Sequence, residues 1–373
     1  MNGDRPLRAG FLMDQIAGHI TSYRNMRPLI DDDPTIDASW FEIEYARPGG
    51  AIEVWSQRLR AIPPYVTGVT RGTVELRRGL RAGPFDVLFT NCSVASLSSR
   101  PFRHTPTLLH LDSTPVQIDR MPSYPSPHDI KPVAALKRSM SSRLFRSAAA
   151  VHAWSNWARR SFIDDYGVEA DRVIVNPPGI DTALWQRPSP LTATNDSVRV
   201  LFVGADFERK GGSMLLDWHR RQDPARITLV IATRDEVPST AGVEVHRGLS
   251  PNSPELRKLF HGADLFALPS AGECFGIATV EAMAAGLPVI ASDAGGSADI
   301  IDDGVNGAIV RAGDQSSLDA ALDHLSSSGD ARVTFGAASA VRARQLFDVH
   351  TTAARTIESL HSIAGSRPAL RST

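Results

Sequence analysis

Short apolar runs alternate with helix-patterned stretches along most of the chain. PFDVLFTN (84–91), TPTLLHLD (105–112), RVIVNPPG (172–179), VRVLFVGA (198–205), RITLVIAT (226–233), ADLFALPS (263–270) and LPVIASD (287–293) read as strands. Each is nearly continuous in its hydrophobicity, which suits strands of a parallel sheet covered by helices on both faces. SMLLDWHRR (213–221), SPELRKLFHG (253–262) and GIATVEAMAAG (276–286), lying between them, read as helices. The alternation predicts a doubly wound α/β architecture. The segment NPPGIDTALWQRPSPLTATNDS (176–197) is rich in Pro, Ser, Thr and Asn, and βαβ units restart directly after it. Two Rossmann-like domains are expected, residues 1–180 and 181–345, followed by a helical tail over 346–373.

Composition narrows the class. At 373 residues the chain is long enough for two domains, and 42% hydrophobic with 22% charged residues excludes a disordered chain. Forty Lys and Arg against forty-one Asp and Glu give a net charge of −1, so no overall field would hold nucleic acid. Two cysteines, Cys92 and Cys274, supply neither a disulfide framework nor a Cys-based zinc site, and suit a reducing compartment. The N-terminus has no signal-peptide apolar region, and no stretch approaches 18 uninterrupted apolar residues. A cytoplasmic protein is expected. Residues 131–160 hold Lys131, Lys137, Arg138, Arg143, Arg146, Arg159 and Arg160 and no acidic residue. That run is either a solvated helix face or a platform for an anionic acceptor or the inner membrane face.

The chemistry concentrates in PSAGECFGIATVEAMAAGLPVIASDAGGSADIIDDGVNGAIV (269–310). A strand ends at Pro269-Ser270, the chain turns through Ala271-Gly272-Glu273, and a helix begins near Phe275-Gly276. Ligands of open α/β sheets bind at this carboxyl edge, and a helix N-terminus there suits phosphate. Glu273 precedes the helix and Glu281 lies within it. The two carboxylates could accept hydrogen bonds from two hydroxyl-bearing parts of one ligand. Glu281 is set among small apolar residues, where a buried carboxylate needs a partner. A second loop, VLFVGADFERKGG (200–212), ends a strand at Gly204 and places Arg209 and Lys210 before Gly211-Gly212, where a lysine could neutralise a diphosphate. The P-loop pattern is absent because the lysine precedes its glycines. No G-x-G-x-x-G opens the first strand.

The order Gly204…Lys210-Gly211, PSAGECFGIATVEAMAAGLPVIASDAGG and DDGVNGAIV resembles the donor-binding domain of family 4 glycosyltransferases of the GT-B fold. The likeness is close over 198–310 and looser over 151–185. It implies a retaining, nucleotide-sugar-dependent hexosyltransferase acting on a hydroxyl acceptor, whether glycan, lipid-linked or small molecule. By the resemblance Lys210 binds the donor diphosphate, Glu273 the donor sugar and Glu281 the ribose hydroxyls. Amides around Cys274, Phe275, Gly276 and Ile277 meet sugar or phosphate oxygens. His110, at the end of a strand, is expected to face the reacting sugar. The chain departs from the family at Ala205, where an Arg is usual and Arg209 is the candidate replacement. It departs again at Ala17-Gly18, where a glycine pair is usual and only Gly18 remains.

No cofactor beyond the co-substrate is expected, and no metal. Asp31-Asp32-Asp33 has the Asp-x-Asp spacing of metal-dependent transferases but precedes Pro34 in a polar turn. The alternatives are a sugar-nucleotide epimerase, a phosphorylase, for which no pyridoxal lysine is evident, and a non-catalytic sugar-nucleotide-binding subunit.

Overall fold

The computed structural model describes residues 5–47, 64–98, 101–121, 131–193 and 196–365, with residues 50, 52 and 123. Within them the chain forms two six-stranded sheets whose paired strands all run parallel. The first comprises β1 (Leu7–Asp14), β2 (Ile36–Ile43), β3 (Val87–Thr90), β4 (Thr107–Leu111), β5 (Ala150–Ala153) and β6 (Val173–Val175), in the order β2-β1-β3-β4-β5-β6. The second comprises β7 (Val198–Val203), β8 (Ile227–Ala232), β9 (Val243–His246), β10 (Leu265–Leu268), β11 (Val289–Ser292) and β12 (Gly307–Val310), in the order β12-β11-β10-β7-β8-β9. Both are doubly wound. Strand order reverses between β1 and β3 in one sheet and between β7 and β10 in the other, and those switch points are where such sheets open a crevice.

Helices cover the sheets. In the first half these are α1 (Ala17–Asp31), α2 (Pro64–Leu80), α3 (Lys131–Ser147) and α4 (Asn156–Asp164). In the second they are α5 (Gly212–His219), α6 (Pro254–His261), α7 (Ile277–Ala284), α8 (Gln315–Ser327) and α9 (Gly329–Leu346). The last helix, α10 (Val349–Gly365), returns to pack on α1, β3 and β4. It crosses beside the linker, where the Ile180 amide donates to the Phe347 carbonyl and the Val349 amide to the Ile180 carbonyl, both at 2.9 Å.

A buried polar network fixes α10 to the first sheet. The Asn176 amide nitrogen lies 3.1 Å from His152 Nδ1, the Thr352 carbonyl and Thr356 Oγ1, while His152 Nε2 meets Ser359 Oγ at 2.9 Å. Accepting from Asn176 at Nδ1 leaves His152 neutral, with its proton on Nε2 for Ser359.

Five strands lie outside the seven apolar runs. β1 carries Arg8, whose guanidinium reaches Asp86 at 2.9 Å, and ends in Asp14. β2 and β9 are edge strands with mostly half-buried or exposed positions. β5 has only four residues, one of them His152. β12 opens on Gly307, where a Cβ would sit 2.0 Å from the Val289 carbonyl oxygen.

Candidate active site

The second sheet's switch point gathers the two motif loops. After β7 the chain passes Gly204 and turns into α5. A Cβ on Gly204 would lie 3.0 Å from Lys210 Cγ, so the glycine leaves room for the lysine stem. Gly211 has φ +80° and faces the Pro269 carbonyl, which a Cβ would approach to 2.2 Å. The start of α5 is thereby pressed against the end of β10. Across that contact the Lys210 ammonium pairs with the Glu273 carboxylate. Gly295 and Gly296 back the same loop: a Cβ on Gly295 would fall 1.8 Å from the Glu273 carbonyl oxygen.

Arg209 lies beside Lys210 but is tied to the loop itself. Its Nε donates to Asp206 at 2.9 Å and its Nη1 to the Gly272 carbonyl at 3.0 Å. It braces the turn that carries Glu273. Cys274 and Phe275 are buried, and Phe275 packs edge-on to Trp154 across the domain boundary, ring centres 5.8 Å apart. Gly276, at φ +101°, starts α7.

Helix starts among the described residues fall into capped and uncapped ones. Thr114, Ser155, Asp181, Ser253, Asp314 and Ser328 each cap a helix with a side-chain oxygen on a first-turn amide. Helices α1, α5 and α7 start at Ile16, Gly211 and Gly276 with no such cap. The first amide of α5 donates back to the Phe207 carbonyl at 2.8 Å, whereas the first two amides of α1 and of α7, at positive dipole ends, have no acceptor among the described residues. The first turns of α1 and α7 also meet: a Cβ on Gly18 would be 3.2 Å from Ile277 Cδ1.

Glu281 lies one turn into α7. It is 5% exposed, and no hydrogen bond or ion pair to its carboxylate is found among the described residues. Burial alone pushes its pKa up to about 8. The carboxyl therefore keeps its proton at neutral pH, and only on losing it is it a pure hydrogen-bond acceptor.

His110, at the end of β4, is enclosed by the fold. It pairs in register with His152 on the face of the sheet covered by α10, and it is 2% exposed. Its Nε2 donates to the Asn176 carbonyl at 3.1 Å, and burial holds its pKa down at about 3. This neutral imidazole lies behind Trp154, ring centres 5.4 Å apart. The histidine facing the domain boundary is His19, in the first turn of α1, whose Nε2 lies 3.5 Å from Asp112 Oδ2. The sequence marks it only by the glycine beside it. Asp31 and Asp33 hold local structure: Asp31 accepts from Trp40 Nε1 at 2.6 Å and Asp33 from the Thr35 amide at 2.8 Å. The charges of 131–160 divide between α3 and α4. Arg138, Arg146 and Arg159 donate to carbonyls of Asp165, Tyr166 and Val173.

These buried groups set a pH profile for the ligand-free protein. Burial lowers His110 to about 3 and His152 to about 4, so below pH ~6.5 the unfolded chain binds more protons and stability falls with pH. Glu281 keeps its proton up to about 8, so stability declines as pH rises from ~4.5 toward 8. His19, raised by Asp112 against its burial, adds to the decline above ~6.5. Each group contributes up to about 1.4 kcal/mol per pH unit inside its window, and below 6.5 two histidines outweigh one glutamate. The melting temperature should therefore peak near pH 6.5, and Glu281→Gln should flatten the alkaline limb. A wild-type melting temperature that climbs steadily to pH 8 would refute this assignment.

Two family models match the chain in succession: Glycosyltransferase Family 4 over residues 43–184 and Glycosyl transferases group 1 over residues 187–342. Relatives include the D-inositol 3-phosphate glycosyltransferase of Pseudarthrobacter chlorophenolicus, 30% identical over 59% of this chain and 57% of that protein. The enzyme of the same name from Frankia alni is 27% identical over 71% of each. The chain spans about half the length of the first of these relatives. Among solved structures, sucrose-phosphate synthase from Thermosynechococcus elongatus superposes with a TM-score of 0.76 at 16% identity, covering 96% of this chain and all of that one. Anabaena Alr3699/HepE, in complex with UDP, superposes at 0.68 with 20% identity, covering 95% and 100%. The same Anabaena protein is also solved with UDP-glucose. The architecture is the two-domain GT-B fold.

Proposed function

With its two halves matched by family 4 and group 1 glycosyltransferase models, we propose that the chain is a retaining glycosyltransferase moving a hexose from a nucleoside diphosphate sugar to a hydroxyl acceptor. The observation that carries this reading is the Glu281 carboxyl, without a partner among the described residues, beside the uncapped start of α7, with Lys210 and Glu273 across the same switch point. The ribose hydroxyls donate to Glu281. Amides at Cys274, Phe275, Gly276 and Ile277, and those opening α1 near Gly18, take diphosphate and sugar oxygens. Lys210 neutralises the diphosphate, and Glu273, released from it, accepts from the sugar. As the glycosidic bond breaks, its electron pair passes to the phosphate oxygen held there. The acceptor oxygen bonds to the same face of the anomeric carbon, and its proton goes to that phosphate oxygen. Neither a metal nor a further cofactor has a part in this scheme.

Uridine is the first nucleoside to try, because the Anabaena neighbour binds UDP and UDP-glucose. A polyol phosphate is the first acceptor to try, given the name shared by the relatives. The test is a thermal-shift panel of nucleotides and nucleotide sugars. A ligand at 100 times its dissociation constant should stabilise the fold by about 2.7 kcal/mol. No shift with any nucleoside diphosphate would count against the reading.

No helix among the described residues is long and apolar enough to cross a membrane. A cytoplasmic enzyme resting on the inner membrane face fits α3, whose first half exposes Val133 and Leu136 beside Lys131 and Lys137. Co-sedimentation with anionic but not neutral vesicles is the expected result; equal recovery with both would remove this contact.

A further inference from the structure

Three buried ring nitrogens without hydrogen-bond partners lie in one layer of rings at the domain boundary: His19 Nδ1, His110 Nδ1 and Trp154 Nε1. The Trp154 ring centre is 4.9 Å from that of His19 and 5.4 Å from that of His110. Buried polar atoms left unpaired are rare, and each calls for an explanation. His110 has one already, since its Nε2 proton goes to Asn176 and its Nδ1 is a spare acceptor in the interior. His19 and Trp154 differ. Trp154 is only 2% exposed, and its indole N–H is a donor with nothing to receive it. His19 is anchored at Nε2 by Asp112, whose own Oδ1 accepts from Ser113 Oγ at 2.9 Å. The Trp154 ring adjoins the donor loop at Phe275, and the residue before His19, Gly18, meets it at Ile277.

We propose that His19, held at Nε2 by Asp112, is a donor-contacting residue contributed by the first domain, its Nδ1–H and the Trp154 indole N–H binding oxygens where the sugar joins the diphosphate. The proposal rests on the donor reading above and extends it to side chains of the other domain. Two donors on neighbouring rings suit an acceptor-rich group, which a diphosphate ester is. During transfer the carbon–oxygen bond to the phosphate breaks and the acceptor oxygen bonds to the same carbon. The acceptor's proton moves to a phosphate oxygen. His19 gains and loses nothing; its N–H strengthens its hold as charge builds on the departing oxygen.

Charged and titratable groups facing His19 agree with an N–H at both nitrogens. Asp112 and, more weakly, Asp14 raise its pKa against the burial that lowers it. His110 is the remaining titratable neighbour, and it stays neutral.

The experiment compares His19→Ala, His19→Gln and Asp112→Asn with wild type, using UDP for binding and a turned-over nucleotide sugar for kinetics. His19→Ala should lower kcat about a hundredfold and weaken UDP only about tenfold, the loss of one charge-assisted hydrogen bond to a phosphate oxygen. Asp112→Asn keeps the imidazole but removes its anchor. The alkaline limb of its kcat profile should move toward pH ~6.5, the ordinary histidine value. Full activity in a folded His19→Ala or His19→Gln, or an unmoved limb in Asp112→Asn, would overturn the proposal while leaving the donor reading intact. Equal losses of UDP binding and kcat in the His19 variants would also overturn it, since a structural role predicts that. Failure of wild type to bind any nucleoside diphosphate would instead overturn the donor reading on which it rests.

Discussion

Lys210→Ala should lower kcat/KM for a nucleotide sugar by a factor of about a hundred to a thousand while leaving affinity for the free nucleoside nearly unchanged. One charge-assisted hydrogen bond to a phosphate oxygen contributes roughly 1.5–3 kcal/mol, which alone gives tenfold or more. The remainder comes from Glu273. That carboxylate is 6% exposed and pairs with Lys210. Removing the lysine leaves a buried negative charge, without that counter-charge, beside the proposed diphosphate position. The double variant Lys210→Ala, Glu273→Gln should therefore bind UDP better than Lys210→Ala alone. Calorimetric titration of the four proteins with UDP and with uridine closes the cycle. Additive effects, or equal weakening of uridine and UDP by Lys210→Ala, would take the diphosphate away from this residue.

The second large effect belongs to Glu281. To accept from two ribose hydroxyls its carboxyl must give up a proton that it holds up to about pH 8 in the ligand-free protein. Binding should release that proton, and UDP affinity should rise with pH between 6 and 8 by up to about tenfold per unit. Glu281→Gln replaces one acceptor oxygen with a donor and should weaken UDP by roughly ten- to a hundredfold at pH 8. It should also abolish the proton release. Titration at pH 7.5 in two buffers of different ionisation enthalpy measures the protons directly, and the variant supplies the baseline for protons released by UDP itself. Identical proton counts in wild type and variant would remove Glu281 from the ribose.

The second domain was the more legible half. Its central strands are buried on both faces, so they stand out as unbroken apolar runs. Its loop motif also states its constraints, because Gly204, Gly211, Gly276 and Gly295 each answer a close approach or a left-handed backbone. The edge strands β2 and β9 were hidden because exposed positions interrupt their hydrophobicity. His110 shows what a strand end conceals. A shift of one residue turns a side chain to the opposite face of the sheet, and register with His152 puts this one under α10. Nothing in the spacing of LLHLD reveals that register. Arg209 was legible as a charge but not as a brace, because its partners, Asp206 and the Gly272 carbonyl, are brought to it by the fold. His19 was hidden for the same reason: Asp112 and Trp154 lie far from it in sequence and meet it only through the parallel packing of β1, β3, β4 and β5.

The central claim is donor activation with retention at the β7–β10 switch point, and it can be tested without knowing the acceptor. The protein is incubated with a panel of nucleotide sugars in chelator, water serving as acceptor, and sugar release is followed by proton NMR. The account predicts slow release of one hexose from its α-linked donor, appearing first as the α-anomer, and release is lost in Lys210→Ala. Release of the β-anomer first, or turnover that survives Lys210→Ala or requires an added divalent metal, would contradict it.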